Sequence, residues 1–294
     1  MSKKRVGLFG ATSLVGKCLL ELLKKNGWSV RAFSRREASS TDPDIQWIRI
    51  PENPDDLHGP ARESDKIASW FFIAPIWVLP DYFPMLVNYG VKRIVAVSST
   101  SLFTKSHLGS FEEKSTALKL SNAETRLEQW SAETGVEWIV LRPTLIYGRG
   151  MDKNISEIVR LIRRLGFFPL FGEGSGLRQP VHAEDLAMAC LSALEKADIV
   201  NRAYNLSGGE TLSYREMVSR LFAALGSRSR LIHVPLGFFR LAATVLSLFP
   251  RYRHLTPQMA ERMNTDLVFD HADARRDLDF QPRPFQPGPE DLPS

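Results

Sequence analysis

An apolar run, Arg5-Val-Gly-Leu-Phe9, breaks into the small-residue turn Gly10-Ala-Thr-Ser13, after which Leu14, Val15, Cys18, Leu19, Leu22 and Leu23 recur at helical spacing. Asn26-Gly27 ends this helix, and Ser29–Phe33 reads as a second strand. The alternation continues, with strands expected at Ile45–Ile50, Trp70–Ala74, Arg93–Val97 and Trp138–Leu141 and helices at Tyr82–Tyr89 and Ser115–Thr134. Such alternation predicts an α/β protein built on a doubly wound parallel sheet. After Gly148 the pattern changes to a helix near Ile155–Leu165, a glycine-rich Phe171–Gly176 stretch, a helix from Glu184 to about Lys196, a short strand at Ala203–Leu206, and then mostly helical, proline-punctuated sequence. This second part predicts a smaller, mainly helical C-terminal lobe. Its tail, Gln281–Ser294, carries five prolines and is expected to be irregular and loose.

The first turn has a chemical consequence. Gly10 permits the tight bend, Gly16 lets the helix pack closely on the strand, and the free N–H groups at the helix start, aided by its dipole, face an anion. A pyrophosphate is the anion that this arrangement suits, which points to a nucleotide cofactor. The end of the second strand selects among dinucleotides. An NAD site places a carboxylate there for the ribose hydroxyls, whereas this chain reads Ser34-Arg35-Arg36. A guanidinium grips a 2′-phosphate that a carboxylate would repel, so NADP is expected rather than NAD. The competing reading is two solvated arginines on a loop.

Composition narrows the class. With 294 residues, 44% of them hydrophobic and 24% charged, the chain can bury a core of one large domain or two smaller ones. No apolar run approaches the roughly 20 residues needed to span a bilayer. Met-Ser-Lys-Lys-Arg leads straight into the first strand, and no signal peptide is expected. Cys18 and Cys190 both lie in helical apolar patterns and read as buried thiols in a reducing cytoplasm. The net charge of +5 is scattered, without an aromatic-interleaved stripe, and gives no support to nucleic-acid binding.

Four ordered segments, and a fifth near the C-terminal end, carry a family resemblance. The spacing Gly10, Ser13, Gly16 resembles the glycine pattern of extended short-chain dehydrogenases/reductases, the sugar-nucleotide epimerases and dehydratases, with Ser13 in place of the middle glycine. Val95-Ala-Val-Ser-Ser-Thr100 is similar to the strand whose closing serines flank the nicotinamide, with Ser99 at the catalytic Ser/Thr position. Leu141-Arg-Pro-Thr-Leu-Ile-Tyr-Gly148 resembles the segment lining the nicotinamide end. Gly176-Leu-Arg-Gln-Pro-Val-His-Ala-Glu-Asp185 resembles the segment whose arginine holds a substrate diphosphate, here Arg178, and Phe280–Phe285 resembles the C-terminal signature. The resemblance implies a Rossmann-type dinucleotide-binding domain over 1–150, with 178–210 returning to the sheet, and a substrate lobe over 151–177 and 211–294. It implies cofactor contacts at Gly10, Thr12, Ser13, Leu14, Val15, Gly16, Ser34, Arg35, Arg36, Ala74, Pro75, Ser98 and Pro143, substrate contacts at Arg178 and Tyr147, and no metal.

One departure limits the chemistry that the resemblance implies. Family members that act at carbon use Tyr-x-x-x-Lys, where the tyrosine exchanges a proton with the substrate oxygen and the lysine lowers its pKa. Here Leu118 occupies the tyrosine position and Asn122 the lysine position, and no tyrosine lies between Tyr89 and Tyr147. The chain resembles the atypical members of the superfamily. Ser99 and Tyr147 are the remaining catalytic candidates; for Ser99 the alternative is a capped strand end, and Tyr147 suits a pocket wall better than a proton donor. His182 suits a structural or substrate-lining position better than a general base. Leu236–Phe249, apolar nearly all round and followed by Arg251 and Arg253, is expected to be buried in the lobe, with a membrane or protein surface as the alternative. Two readings stand. One is an NADP-dependent epimerase-like or oxidoreductase enzyme acting on a nucleotide-sugar or another small anion through a non-standard proton donor. The other is a non-catalytic NADP-binding structural or sensor protein at a membrane or protein partner.

Overall fold

The computed structural model describes residues 3–35, 41–53, 56–57, 62–108, 111–235 and 261–294. In the first half, β1 (Arg5–Phe9), α1 (Leu14–Lys25), β2 (Ser29–Ser34), β3 (Ile45–Arg49) and β4 (Ser69–Phe72) are followed by a 3-10 helix at Ile76–Tyr82. Next come α2 (Phe83–Asn88), β5 (Arg93–Val97), α3 (Ser101–Leu108), α4 (Phe111–Thr134) and β6 (Glu137–Pro143). The second half adds β7 (Ile146–Tyr147), α5 (Asn154–Leu165), β8 (Phe168–Phe171), β9 (Leu177–Arg178), β10 (Val181–His182), α6 (Ala183–Glu195) and β11 (Arg202–Leu206). It closes with β12 (Leu212–Ser213), α7 (Tyr214–Ala224), β13 (Leu231–Val234) and α8 (Ala272–Leu278).

Seven strands form one sheet in the order β11-β6-β5-β4-β1-β2-β3, and every neighbouring pair is parallel. From β1 the chain builds outward to β2 and β3, then returns to lay β4 on the other side of β1. The order therefore reverses between β1 and β4, and a crevice for a ligand opens beyond the C-terminal ends of strands at such a point.

The sheet buries both faces, as a parallel sheet must. On one face Val6, Leu8, Val30, Ala32 and Val95 pack beneath α1 and α6. On the other, Phe9, Phe33, Trp70 and Phe72 meet the 3-10 helix, α2 and α4, with Phe9 stacked on Phe33 at 4.8 Å. Gly7 faces this aromatic layer because a Cβ there would run into the Trp70 ring. A third cluster, including Tyr147, Ile155, Val159, Phe168, Leu170, Met217, Leu221 and Phe285, forms the core of the smaller lobe. Cys18 and Cys190 are both buried and free, and burial raises the Cys18 thiol to about 11.

Two expectations are corrected. Ala274 and Leu278 of α8, with Phe280, pack in the first cluster beside α6 and β11, so residues 272–280 return to the sheet domain rather than to the lobe. The tail is irregular apart from a turn at Pro289–Asp291, yet it is not loose. Phe285 is fully buried, Arg283 donates its N–H and its Nε–H to the Asp185 carboxylate at 2.9 Å each, and Asp291 meets His182 at 3.0 Å. Leu236–Phe249 lies outside the described residues. No helix among the described residues is long and apolar enough to cross a membrane.

At the sheet's N-terminal edge, buried Arg93 joins β5 to the end of α6, donating through Nη2 to the carbonyls of Ala193, Lys196 and Ile199 at 2.8, 2.6 and 2.6 Å. Arg93→Ala leaves these acceptors without a donor and should cost about 2–4 kcal/mol. A urea titration checks this; an unchanged midpoint would contradict it.

Candidate functional site

The turn after β1 has the geometry of an anion cradle. Gly10 has φ +78°, and a Cβ on it would lie 2.7 Å from the backbone nitrogen of Ala74 in the loop after β4. A Cβ on Gly16 would collide with the Gly10 carbonyl oxygen. Ser13, at the position of the middle glycine, has φ −72° and needs no glycine. Its Oγ accepts the Gly16 N–H at 3.0 Å and its N–H donates to Gly10 O at 2.9 Å, so it is the N-cap of α1. The N–H groups of Leu14 and Val15 precede the first helical i−4 bond, from Lys17 to Ser13, and are left facing the strand end. Thr12 and Ala74 are half-buried around this cradle, and Pro75 is exposed at the start of the 3-10 helix. Ser34 is buried at the end of β2, and Arg35 beyond it is exposed, near enough for its charge to act on the Tyr82 hydroxyl. Arg36 lies outside the described residues.

Beyond β5 and β6 lies a polar cluster. Ser98 Oγ donates to Glu124 Oε1 at 2.5 Å, and Glu124, buried on α4, receives Arg142 Nε at 3.0 and 3.2 Å and also its Nη2. Ser99 is half-buried, and its Oγ accepts the Ser101 N–H at 3.1 Å, capping α3. The hydroxyl of Thr100 donates to the carbonyl of buried Pro143 at 3.2 Å. Glu124 and Arg142 were not foreseen as a pair, since they meet only through packing of α4 on the strand ends. The one sequence signal was a carboxylate at an apolar position of α4.

Glu124 also shows which side of α4 faces the strand ends. At about 100° per residue, Leu120 lies about 40° from Glu124, whereas Leu118 and Asn122 lie about 120° and 160° away. Both are exposed, Leu118 at 61%. Leu118 and Asn122 therefore stand on the outward side of α4, and the inward side presents Glu113, Ala117, Leu120, Ala123 and Glu124, all buried, with neither tyrosine nor lysine.

The lobe-side candidates are held differently. Tyr147 is 1% exposed, edge-on to His182 and Phe285 at 5.0 and 4.8 Å, and burial pushes its hydroxyl well above the ordinary tyrosine range. β7 pairs with β10 and turns the ring into the lobe core, away from the pocket wall expected of it. His182 has both ring nitrogens engaged. Its Nδ1 accepts the Glu184 N–H at 3.2 Å, capping α6, so Nε2 carries the proton toward Asp291. Arg178 is buried and donates to the carbonyls of Leu177 and Thr265 at 2.7 Å each and to that of Arg262, with Tyr214 against its face. Burial holds its pKa below the ordinary arginine value, and no carboxylate pairs with it among the described residues.

Burial alone would raise Asp291, but hydrogen bonds from His182, Gly288 and Arg149 hold its carboxyl below the ordinary value. A depressed folded pKa means stability present above the unfolded value and lost as pH falls below about 4. Asp291→Asn should remove this part of the acid sensitivity; an unchanged pH dependence of the urea midpoint would contradict it.

Residues 83–207 match the model of the NAD dependent epimerase/dehydratase family. UDP-glucose 4-epimerase of Vibrio cholerae is 24% identical over 164 residues, 53% of this chain and 50% of that protein. 2-Alkyl-3-oxoalkanoate reductase of Stenotrophomonas maltophilia is 30% identical over 157 residues, 49% of this chain and 47% of that protein. The match thus spans about half the length of these curated relatives. The structure of epimerase Mth375 from Methanothermobacter thermautotrophicus superposes with a TM-score of 0.73 at 17% identity, covering 99% of this chain and 91% of that one. Residues 83–207 thus resemble the NAD dependent epimerase/dehydratase family, and the chain has the fold of the epimerase structure over nearly its whole length.

Proposed function

We propose that this protein binds NADP at the crevice between β1 and β4 and acts on a nucleotide-sugar or another small anionic substrate. The observation that carries the reading is the turn itself: Gly10 and Gly16 stand where a Cβ would fill the cradle, and the Leu14 and Val15 N–H groups are left for a pyrophosphate. Arg35 at the end of β2 supports the 2′-phosphate form. The bound cofactor would supply hydride exchange. The chain's own residues bind it, with Ser34 and Arg35 at the adenosine side and Ser98, Ser99 and Pro143 at the other.

The substrate assignment draws on Arg178 and on the epimerase relative, which acts on UDP-glucose by its name. A buried guanidinium held by carbonyls, with no carboxylate paired to it among the described residues, favours an incoming anion, which would exchange with the Thr265 and Arg262 carbonyls. Nucleotide-sugars should raise the melting temperature of the NADP-loaded protein, and Arg178→Lys should abolish the shift. No shift across a panel of UDP- and GDP-sugars would overturn the nucleotide-sugar assignment. The absence of tyrosine and lysine from the inward side of α4 favours the second reading, a non-catalytic NADP-binding structural or sensor protein. Arg35→Ala should weaken NADPH by about tenfold or more and leave NADH nearly unchanged. Equal losses for both cofactors would remove Arg35 from the 2′-phosphate site.

A further inference from the structure

A guanidinium has two forked edges, and in Arg142 only one is occupied. Glu124 takes the side edge, Nε with Nη2, while the end edge, Nη1 with the second Nη2 hydrogen, has no hydrogen-bond partner among the described residues. The Arg142 side chain is 20% exposed and that of Glu124 is 6%, so the positive member of the pair faces outward. Phe103 of α3 covers the guanidinium face at 5.3 Å and meets Phe269 at 6.0 Å. Phe269 belongs to the extended segment before α8, held by its N–H to Gln179 Oε1 at 2.7 Å. Arg142 from β6, Phe103 from α3 and Phe269 from this segment therefore meet beyond the strand ends, next to Ser98 and Ser99. Phe103 is exposed, giving the cationic edge an apolar border.

We propose that Arg142, bordered by Phe103 and Phe269, is a recognition site for a carboxylate carried on an apolar carbon chain. A carboxylate matches the open fork in a plane, and Glu124 fixes that plane by holding the opposite edge. The apolar border favours methylene groups over hydroxyls at the neighbouring positions. This rests on the reading that the crevice beyond the strand ends holds a small anionic substrate, and within that reading it favours a carboxylate on an alkyl chain over a nucleotide-sugar.

The test is calorimetric titration of the full chain with octanoate and with octan-1-ol, each with and without NADPH. Wild type should bind octanoate at least about tenfold tighter than octan-1-ol. Arg142→Lys, which keeps the charge but has no fork, should lose about tenfold or more toward octanoate with octan-1-ol unchanged. Phe103→Ala should weaken both ligands. Equal affinities in wild type, undetectable octanoate binding, or an Arg142→Lys protein that binds octanoate normally would each overturn the proposal. The wild-type comparison decides it even if a variant fails to fold. NADPH binding without a preference for octanoate sinks this inference alone, and octanoate preference without NADPH binding sinks the cofactor reading alone.

Discussion

Gly16→Val is expected to weaken NADPH binding by at least about 100-fold and to destabilise the fold by about 4 kcal/mol or more. The added Cβ would run into the Gly10 carbonyl oxygen and crowd the Ala11 Cα, and both are backbone atoms that cannot rotate away. Relief therefore requires α1 to move off β1. That movement carries away the Leu14 and Val15 N–H groups and opens the contact of α1 with α6 in the first core. Gly16→Ala should fall between wild type and valine. Titration with NADPH and urea unfolding of the same samples read the two effects separately, and wild-type affinity in the valine protein would mean that the cofactor does not sit on this turn.

The second large effect is expected from Glu124→Ala. It leaves the Arg142 guanidinium without its counter-ion and the Ser98 hydroxyl without its acceptor, in a place where Glu124 is 5% exposed. Removing one partner of a buried pair costs about 3–5 kcal/mol. Glu124→Gln, which keeps an acceptor for Ser98 but not the charge, should cost less. Urea unfolding checks both, and a loss below about 1 kcal/mol for the alanine variant would show the pair to be a surface contact in energetic terms.

Local physics explains what could be read from the chain. The strands of the sheet, α1, α5 and α6 lie within a few residues of their expected bounds, because each is long enough for its apolar period to repeat. β7, β9, β10 and β12 are two residues each and carry no period at all. α3 has no sequence signal of its own, because Ser99, whose hydroxyl accepts the Ser101 N–H, also closes the apolar run of β5. The glycine turn was legible because steric demands at Gly10 and Gly16 are local. The places of Tyr147, Arg178 and the Glu124–Arg142 pair depend on partners from 18 to 138 residues away, such as Phe285 for Tyr147 and Arg142 for Glu124, and no short window contains them. The tail misled for the same reason: its prolines forbid regular structure, but Phe285 and Asp291 find buried partners far upstream.

The central claim is that the β1–α1 turn holds NADP. Titrating the wild-type chain with NADPH and with NADH, followed by its tryptophan fluorescence, tests it most directly. The account predicts saturable binding of both, with NADPH at least about tenfold tighter through its 2′-phosphate. Equal affinities would contradict the NADP assignment, and no binding of either would contradict the claim as a whole.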